Sequence, residues 1–264
     1  MPTIDVKGQS IFYRRYPPRE PAGLSCPPLV LIHGAGGTLM NWPPQLRRLE
    51  GVTVYAVDLP GHGDSAGNGS QNIAAYRDSV LAFADALTLP RFVAAGHSMG
   101  GAIALDMVLN APARLAGLIL LGTSDRLPVS KRLMDELETS FRETVTWLTS
   151  ILFGHDAQFF IRDAYQRQML ELDLALLHGD FLACDRFDVS TQVHKLDLPT
   201  SIICGELDRM TPLTNSEALH AKITGSQLYV ISNAGHMVML EKPDEVAGII
   251  DAFMKQVSIQ ADKQ

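Results

Sequence analysis

Six short apolar runs limit what this chain can fold into: "PPLVLIHG" (27–34), "VTVYAVDLPG" (52–61), "RFVAAG" (91–96), "LAGLILLG" (115–122), "TSIICG" (200–205) and "QLYVIS" (227–232). They are continuous rather than alternating, the pattern of parallel strands covered on both faces. Helix-period segments lie between them, at 71–87, 99–110, 213–222 and 243–257. In 99–110, Ile103, Met107 and Asn110 share a stripe that Ala102, Leu105 and Val108 widen, and Pro112 stops the helix. Strands alternating with helices predict βαβ units and a mostly parallel sheet, an α/β class fold. The opening "TIDVKGQSIFYRRY" alternates instead, as an antiparallel edge hairpin would.

The alternation stops between 124 and 196. "RLMDELETSFRETVTWLTSILFG" and "AQFFIRDAYQRQMLELDLALLHGDFLACD" are helical by period and hold no strand-like run. This predicts a helical cap insertion at 124–196 over the sheet's carboxyl edge, with 1–123 and 197–264 forming one core domain. "PPREPAGLSCPP" (17–28) reads as a surface connection and the tail "SIQADKQ" as frayed.

Composition excludes several classes. The net charge is −7 and no basic block offsets it, which argues against nucleic acid or an anionic membrane as partner. The three cysteines, Cys26, Cys184 and Cys204, are widely spaced and fit neither a disulfide framework nor a zinc site. No run approaches the roughly 20 apolar residues of a membrane span. The first residues do not read as a signal peptide, so a cytoplasmic location is the expectation.

Chemistry concentrates in a few loops. "GHSMGG" (96–101) carries G-x-S-x-G at the end of a strand-like run and the start of a helical one. A turn that tight strains the serine backbone, requires small neighbours, and lifts the Ser98 hydroxyl off the sheet above a helix N-terminus suited to a developing oxyanion. The bland alternative is a helix N-cap serine. A serine nucleophile needs a base. Of the eight histidines, His236 in "NAGHMVMLEKPDEV" follows the last strand and is the favoured candidate. His33 and His62 sit in glycine turns, and the His97 side chain is expected to point away from the serine. The base in turn needs a carboxylate. Asp208 in "GELDRMTP" is favoured, Asp125 in "LLGTSDRL" is its rival, and Asp58 reads as a turn residue. "HGAGG" (33–37) has neither the lysine of a P-loop nor the spacing of a dinucleotide loop. Its small residues let backbone N–H groups approach a substrate oxygen, so Ala35 and Met99 are assigned as oxyanion donors.

Taken together, "HGAGG", "DLPGHGDS", "GHSMGG", "GELDRMTP" and "NAGHMVMLEKPDEV", in that order over nearly the whole chain, resemble the α/β-hydrolase superfamily, and "GHSMGG" is most similar to its esterase, lipase and lactonase branches. The resemblance implies an eight-stranded, mostly parallel sheet with helices on both faces, a helical cap after the sixth strand, and a Ser98–Asp208–His236 triad. A serine nucleophile disfavours the dehalogenase and epoxide hydrolase reactions of that superfamily. Met237 stands where its carbon–carbon hydrolases often have Trp, and Ala35-Gly36 where perhydrolase-type relatives often have an aromatic residue or proline.

The expectation is a serine hydrolase that cleaves a small-molecule carboxylic ester through an acyl-enzyme, with no metal or organic cofactor. A lactonase or carbon–carbon hydrolase on the same residues, or a non-catalytic ligand receptor on the same fold, is the alternative. Phe141, Trp147, Leu148, Phe159 and Phe160 are candidates for an apolar pocket wall, although such a stripe more often forms the core of a cap.

Overall fold

The computed structural model describes residues 2–18 and 26–261. The segment 19–25 of the proline-rich connection and residues 262–264 lie outside the described part.

Eight strands form one sheet: β1 (Thr3–Val6), β2 (Gln9–Tyr16), β3 (Leu29–Ile32), β4 (Val54–Val57), β5 (Phe92–His97), β6 (Leu115–Leu121), β7 (Thr200–Gly205) and β8 (Gln227–Ile231). Their order is β1-β2-β4-β3-β5-β6-β7-β8. β1 and β2 pair antiparallel, as does β2 with β4, and every later pairing is parallel. The apolar runs and the alternating hairpin are thus strands in the orientations their patterns predicted.

Every residue of β3 to β7 is buried. Alternate residues serve opposite faces. Leu29, Leu31, Val93, Ala95, Ile119 and Leu121 join one apolar core, while Val30, Ile32, Phe92, Ala94, Leu118 and Leu120 join the other. β8 reads in sequence like the central strands, yet it pairs only with β7 and Val230 is exposed. An edge position leaves one side uncovered whatever the side chains.

Helices cover both faces. α1 (Pro44–Arg47) and α10 (Pro243–Ala261) pack on the first core; α2 (Ile73–Ala86), α3 (Met99–Asn110) and α8 (Leu213–Lys222) pack on the second. α3 is buried nearly all round rather than along a stripe, and Asn110 is exposed at its end. α10 continues through Ser258 to Ala261, where the sequence led us to expect fraying. Val257 and Ser258 are buried against the body of the protein, which holds that last turn. No helix among the described residues is long and apolar enough to cross a membrane.

Between β6 and β7 run α4 (Lys131–Thr139), α5 (Phe141–Leu152), α6 (Phe159–Leu170) and α7 (Leu174–Asp185). This segment leaves and returns at one point: Arg126 bridges Asp188, and the Val189 N–H donates to the Asp125 carbonyl at 2.9 Å. A short α9 (Val238–Glu241) precedes α10.

Register sets the site. Ile32 lies beside Gly96, His97 beside Leu121, Leu121 beside Ile203, and Gly205 beside Ile231. The carboxyl ends of β3, β5, β6, β7 and β8 are therefore level, and the loops that leave them share one edge, where open α/β sheets place their ligands.

The turn from β5 to α3 is the tightest contact in this arrangement. A Cβ on Gly96 would lie 2.1 Å from the Gly100 carbonyl oxygen, and one on Gly100 would lie 2.2 Å from that of Ile32. Both obstacles are backbone atoms and cannot rotate away. We expect Gly100→Ala to lose at least about 2 kcal/mol in denaturant unfolding, the range of an overpacked core. Gly248→Ala is the control. A Cβ there meets nothing within 4 Å, in the exposed face of α10, and should gain roughly 0.5–1 kcal/mol from helix propensity. A Gly100→Ala protein with the wild-type midpoint would refute the close approach.

Candidate active site

Ser98 sits between β5 and α3 with φ 53° and ψ −117°. A non-glycine residue at such angles carries strain, of order 1–3 kcal/mol, that only its surroundings can hold. Its carbonyl accepts from the Gly101 and Ala102 N–H groups and starts the helix, but its hydroxyl makes no capping hydrogen bond. The N-cap reading of this serine therefore fails, and the hydroxyl faces a cleft.

His236 and Asp208 meet at the same cleft. The His236 Nδ1–H donates to Asp208 Oδ2 at 2.8 Å. The other carboxylate oxygen, Oδ1, accepts the Met210 and Thr211 N–H groups, each at 2.8 Å, and the Thr211 hydroxyl donates to Oδ2 at 2.8 Å. These bonds fix the carboxylate before it meets the ring. Burial would push the Asp208 carboxyl above its usual range, but the His236 ring and the Thr211 donors more than offset that, and it lies lower. A carboxylate only accepts, so Nδ1 carries a proton, and in the neutral ring Nε2 is the nitrogen with the lone pair that a general base requires. Among the described residues no direct hydrogen bond joins His236 to the Ser98 hydroxyl, although both line the cleft. Such contacts are often long before substrate binds.

The rival carboxylate is elsewhere. Asp125 Oδ2 binds Lys222 Nζ at 2.5 Å, at the end of α8, away from the His236 ring. Glu206 accepts from the Asn233 N–H at 3.1 Å. Asp58 serves its loop, as its sequence context implied: it accepts from the N–H groups of Leu39 at 2.6 Å and Asp64 at 3.1 Å. His178 pairs with Glu138 and His220 with Ser226, and neither lines the cleft.

His97 packs beneath the base. Its ring lies against that of His236, with centroids 4.7 Å apart, and its Nε2–H donates to the His236 carbonyl at 2.9 Å. Full burial, with the His236 ring second, drives its pKa down to about 3, so it stays neutral and braces the base.

The 33–37 loop forms the opposite wall. The Gly37 N–H donates to the Gly34 carbonyl at 3.0 Å, and Gly36 takes φ 60° while Ala35 keeps a negative φ, which makes this a type II turn. The neutral His33 ring supports it: Nδ1–H donates to the Gly34 carbonyl at 2.8 Å, and Nε2 accepts the Leu59 N–H at 3.0 Å. Ala35 lines the cleft beside Ser98. Met99 opens α3, so its N–H lacks an intrahelical partner.

The helices between β6 and β7 close the cleft with Leu148, Leu152, Tyr165, Met169 and Phe181. Of the five pocket candidates read from sequence only Leu148 is there. Phe159 (81% exposed) and Phe160 (66%) face solvent, Trp147 is half exposed, and Phe141 packs on the core. The true lining falls on turns of α5, α6 and α7 that period alone could not orient. A second hollow of about 210 Å³ shares Ala35, Ser98, Phe181 and Met210 with the cleft and adds Arg126 and Asn215.

Sequence reasoning also passed over Asp180. It is fully buried in α7 and its carboxylate accepts from three groups, the Gly36 N–H, His62 Nε2 and the Tyr76 hydroxyl. An acid in the middle of the apolar "LALLHGDFLAC" was the available signal, since a buried charge needs partners.

Comparison with known proteins identifies the family of this fold. The family model for the alpha/beta hydrolase family matches residues 29–249. The dihydrolipoyllysine-residue acetyltransferase component of an acetoin cleaving system from Pseudomonas putida is 30% identical over 244 residues, 87% of this chain; the chain spans only 64% of that relative. A pimeloyl-acyl-carrier-protein methyl ester esterase from Serratia marcescens is 29% identical over 243 residues, covering 86% of this chain and 93% of that one. A solved structure of a thermophilic esterase is 32% identical with a TM-score of 0.84 and 97% of each chain covered. The match runs from β3 into α10 and takes in each loop that walls the cleft, and the chain accordingly belongs to the alpha/beta hydrolase family.

Proposed function

We propose that the protein is a serine hydrolase of carboxylic esters. One observation carries the reading: a strained serine with an uncapped hydroxyl shares a cleft with a histidine whose Nδ1 is held by a carboxylate at 2.8 Å. Ser98 attacks the acyl carbonyl as His236 Nε2 takes its proton. Asp208 steadies the imidazolium that forms. The Ala35 and Met99 N–H groups hold the oxyanion. His236 then protonates the departing alcohol, and a water activated by the same ring releases the acid from the acyl-enzyme. The segment 124–196 acts as a cap that shapes the acyl side with Leu148, Leu152 and Met169. Two hollows meeting at Ser98 suit a substrate with an arm on each side of its carbonyl. The esterase relatives support an ester as the substrate class.

Two measurements test this. A fluorophosphonate probe should label Ser98, and Ser98→Ala should lose both labelling and hydrolysis of p-nitrophenyl esters. Labelling at another residue would overturn the mechanism, and wild-type protein that neither labels nor hydrolyses would favour a ligand receptor. The second measurement compares the two acids. Asp208→Asn should lower kcat by roughly 10³–10⁴-fold, the cost of a base left in the wrong tautomer. Asp125→Asn, which breaks only a partly exposed ion pair with Lys222, should stay within about threefold of wild type in kcat and lose at most about 1 kcal/mol of stability. The reverse ranking would return the role to Asp125.

A further inference from the structure

The turn that carries Ala35 is not held by the sheet alone. Its Gly36 N–H donates to Asp180 Oδ2 at 2.8 Å, and its Gly36 carbonyl accepts from Gln168 Nε2 at 3.3 Å. Asp180 belongs to α7 and Gln168 to α6, so both grips come from the inserted helices. The fit is close: a Cβ on Gly36 would lie 2.6 Å from Leu172 Cδ1 and 3.0 Å from Met169 Sδ.

The Asp180 carboxylate is itself held. Its Oδ2 also accepts from His62 Nε2 at 2.8 Å, and its Oδ1 accepts from the Tyr76 hydroxyl at 2.6 Å. The His62 Nδ1 lies 3.1 Å from the Pro60 carbonyl. Both His62 partners only accept, so both ring nitrogens carry protons and the ring is a cation. Burial alone would lower the His62 pKa; the Asp180 charge more than offsets it, and the net shift is upward. Tyr76 is fixed in turn because its oxygen accepts the Ser70 N–H at 2.8 Å. Asp180 and His62 are wholly shielded from solvent.

We propose that Asp180 is the positioning residue of the oxyanion hole: through the Gly36 N–H it locks the 34–37 turn that aims the Ala35 N–H at the substrate oxygen. The nucleophile and base stand on the sheet, while one wall of the oxyanion hole is held in register by the cap. The turn is competent only while α7 is seated on it. This rests on the ester hydrolase reading above, and it makes the otherwise unexplained "PGHGDS" loop part of the apparatus, as the source of the cation that keeps Asp180 charged and in place.

The test compares Asp180→Ala with wild type on a p-nitrophenyl ester, together with the affinity of a trifluoromethyl ketone, whose adduct with Ser98 places an oxyanion in the hole. A misaimed donor costs transition-state and not substrate binding. We expect kcat to fall roughly 10–100-fold, less than the 10²–10³ of deleting a donor outright. KM should stay within about threefold of wild type, and ketone affinity should fall by the same factor as kcat. The acid limb of the kcat/KM profile, which reports the base, should not move. Asp180→Asn keeps an oxygen for the Gly36 N–H and should recover kcat to within about threefold of wild type. Asp180→Ala strands the His62 cation and can fail to fold. In that case His62→Gln/Asp180→Ala is measured against His62→Gln, which keeps the carboxylate, and the same losses are expected. Unchanged kcat and ketone affinity, a loss confined to KM, or an Asp180→Asn protein as impaired as Asp180→Ala would each overturn the assignment. Wild-type protein that neither labels at Ser98 nor hydrolyses esters would bring down the underlying reading, and this one with it; an active wild type indifferent to Asp180 overturns this one alone.

Discussion

The close approach of β5, α3 and β3 at Gly96 and Gly100 is the contact on which the site depends. Within it Ser98 holds backbone angles that an L-residue avoids. Nothing local pays for that conformation. It persists because β5 and most of α3 are buried on all sides, and because the Ser98 N–H is tied to the Leu121 carbonyl at 2.9 Å while its carbonyl accepts from the Thr123 hydroxyl at 2.9 Å. The large apolar core is thus what keeps one hydroxyl lifted out of it. The same level strand ends that deliver Ser98 also deliver the loops bearing His236, Asp208 and Ala35, so a change of register in any central strand would dissolve the site rather than shift it.

Four buried histidines crowd this edge, and their partners give them different tasks. His33 donates to one carbonyl and accepts one N–H, so it is neutral, and burial followed by the His62 charge pushes its pKa well down. His97 is neutral and donates to the backbone of His236. His62 faces two acceptors and is a cation. His236 donates to Asp208 through Nδ1 and makes no protein hydrogen bond through Nε2 among the described residues. Identical side chains within one cluster therefore brace a turn, brace a base, carry charge and offer basicity, and hydrogen-bond complementarity alone separates them.

What could be read from sequence follows the same divide. Continuous apolar runs identified the central strands because burial on both faces leaves a mark at every position of a strand. The meeting of Ser98, His236 and Asp208 at one edge was legible because each follows a strand end, and topology brings strand ends together. The contact of His97 with His236 was not legible because it joins residues 139 positions apart in the chain. The pocket wall was misjudged at Phe159, Phe160 and Trp147, since helical period reveals an apolar stripe without saying whether it faces the sheet, another helix or water. Asp180 was missed because its meaning lies in three partners supplied by 36, 62 and 76, more than a hundred residues upstream and invisible to any local pattern.

The position of that carboxylate also bears on why a charge is buried there at all. Removing two ions from water is costly, and a well-packed apolar pair of similar volume is often as stable or more so. Stability therefore gives no reason to keep Asp180 and His62 under α7. Geometry does: an apolar contact would hold α7 on the sheet as firmly, but it would leave the Gly36 N–H without an acceptor and the orientation of the 35–36 peptide open. A carboxylate with each oxygen already committed permits one orientation of that peptide. The inserted helices are accordingly more than a cover for the cleft, because the 34–37 turn proposed to carry an oxyanion donor takes its orientation from them.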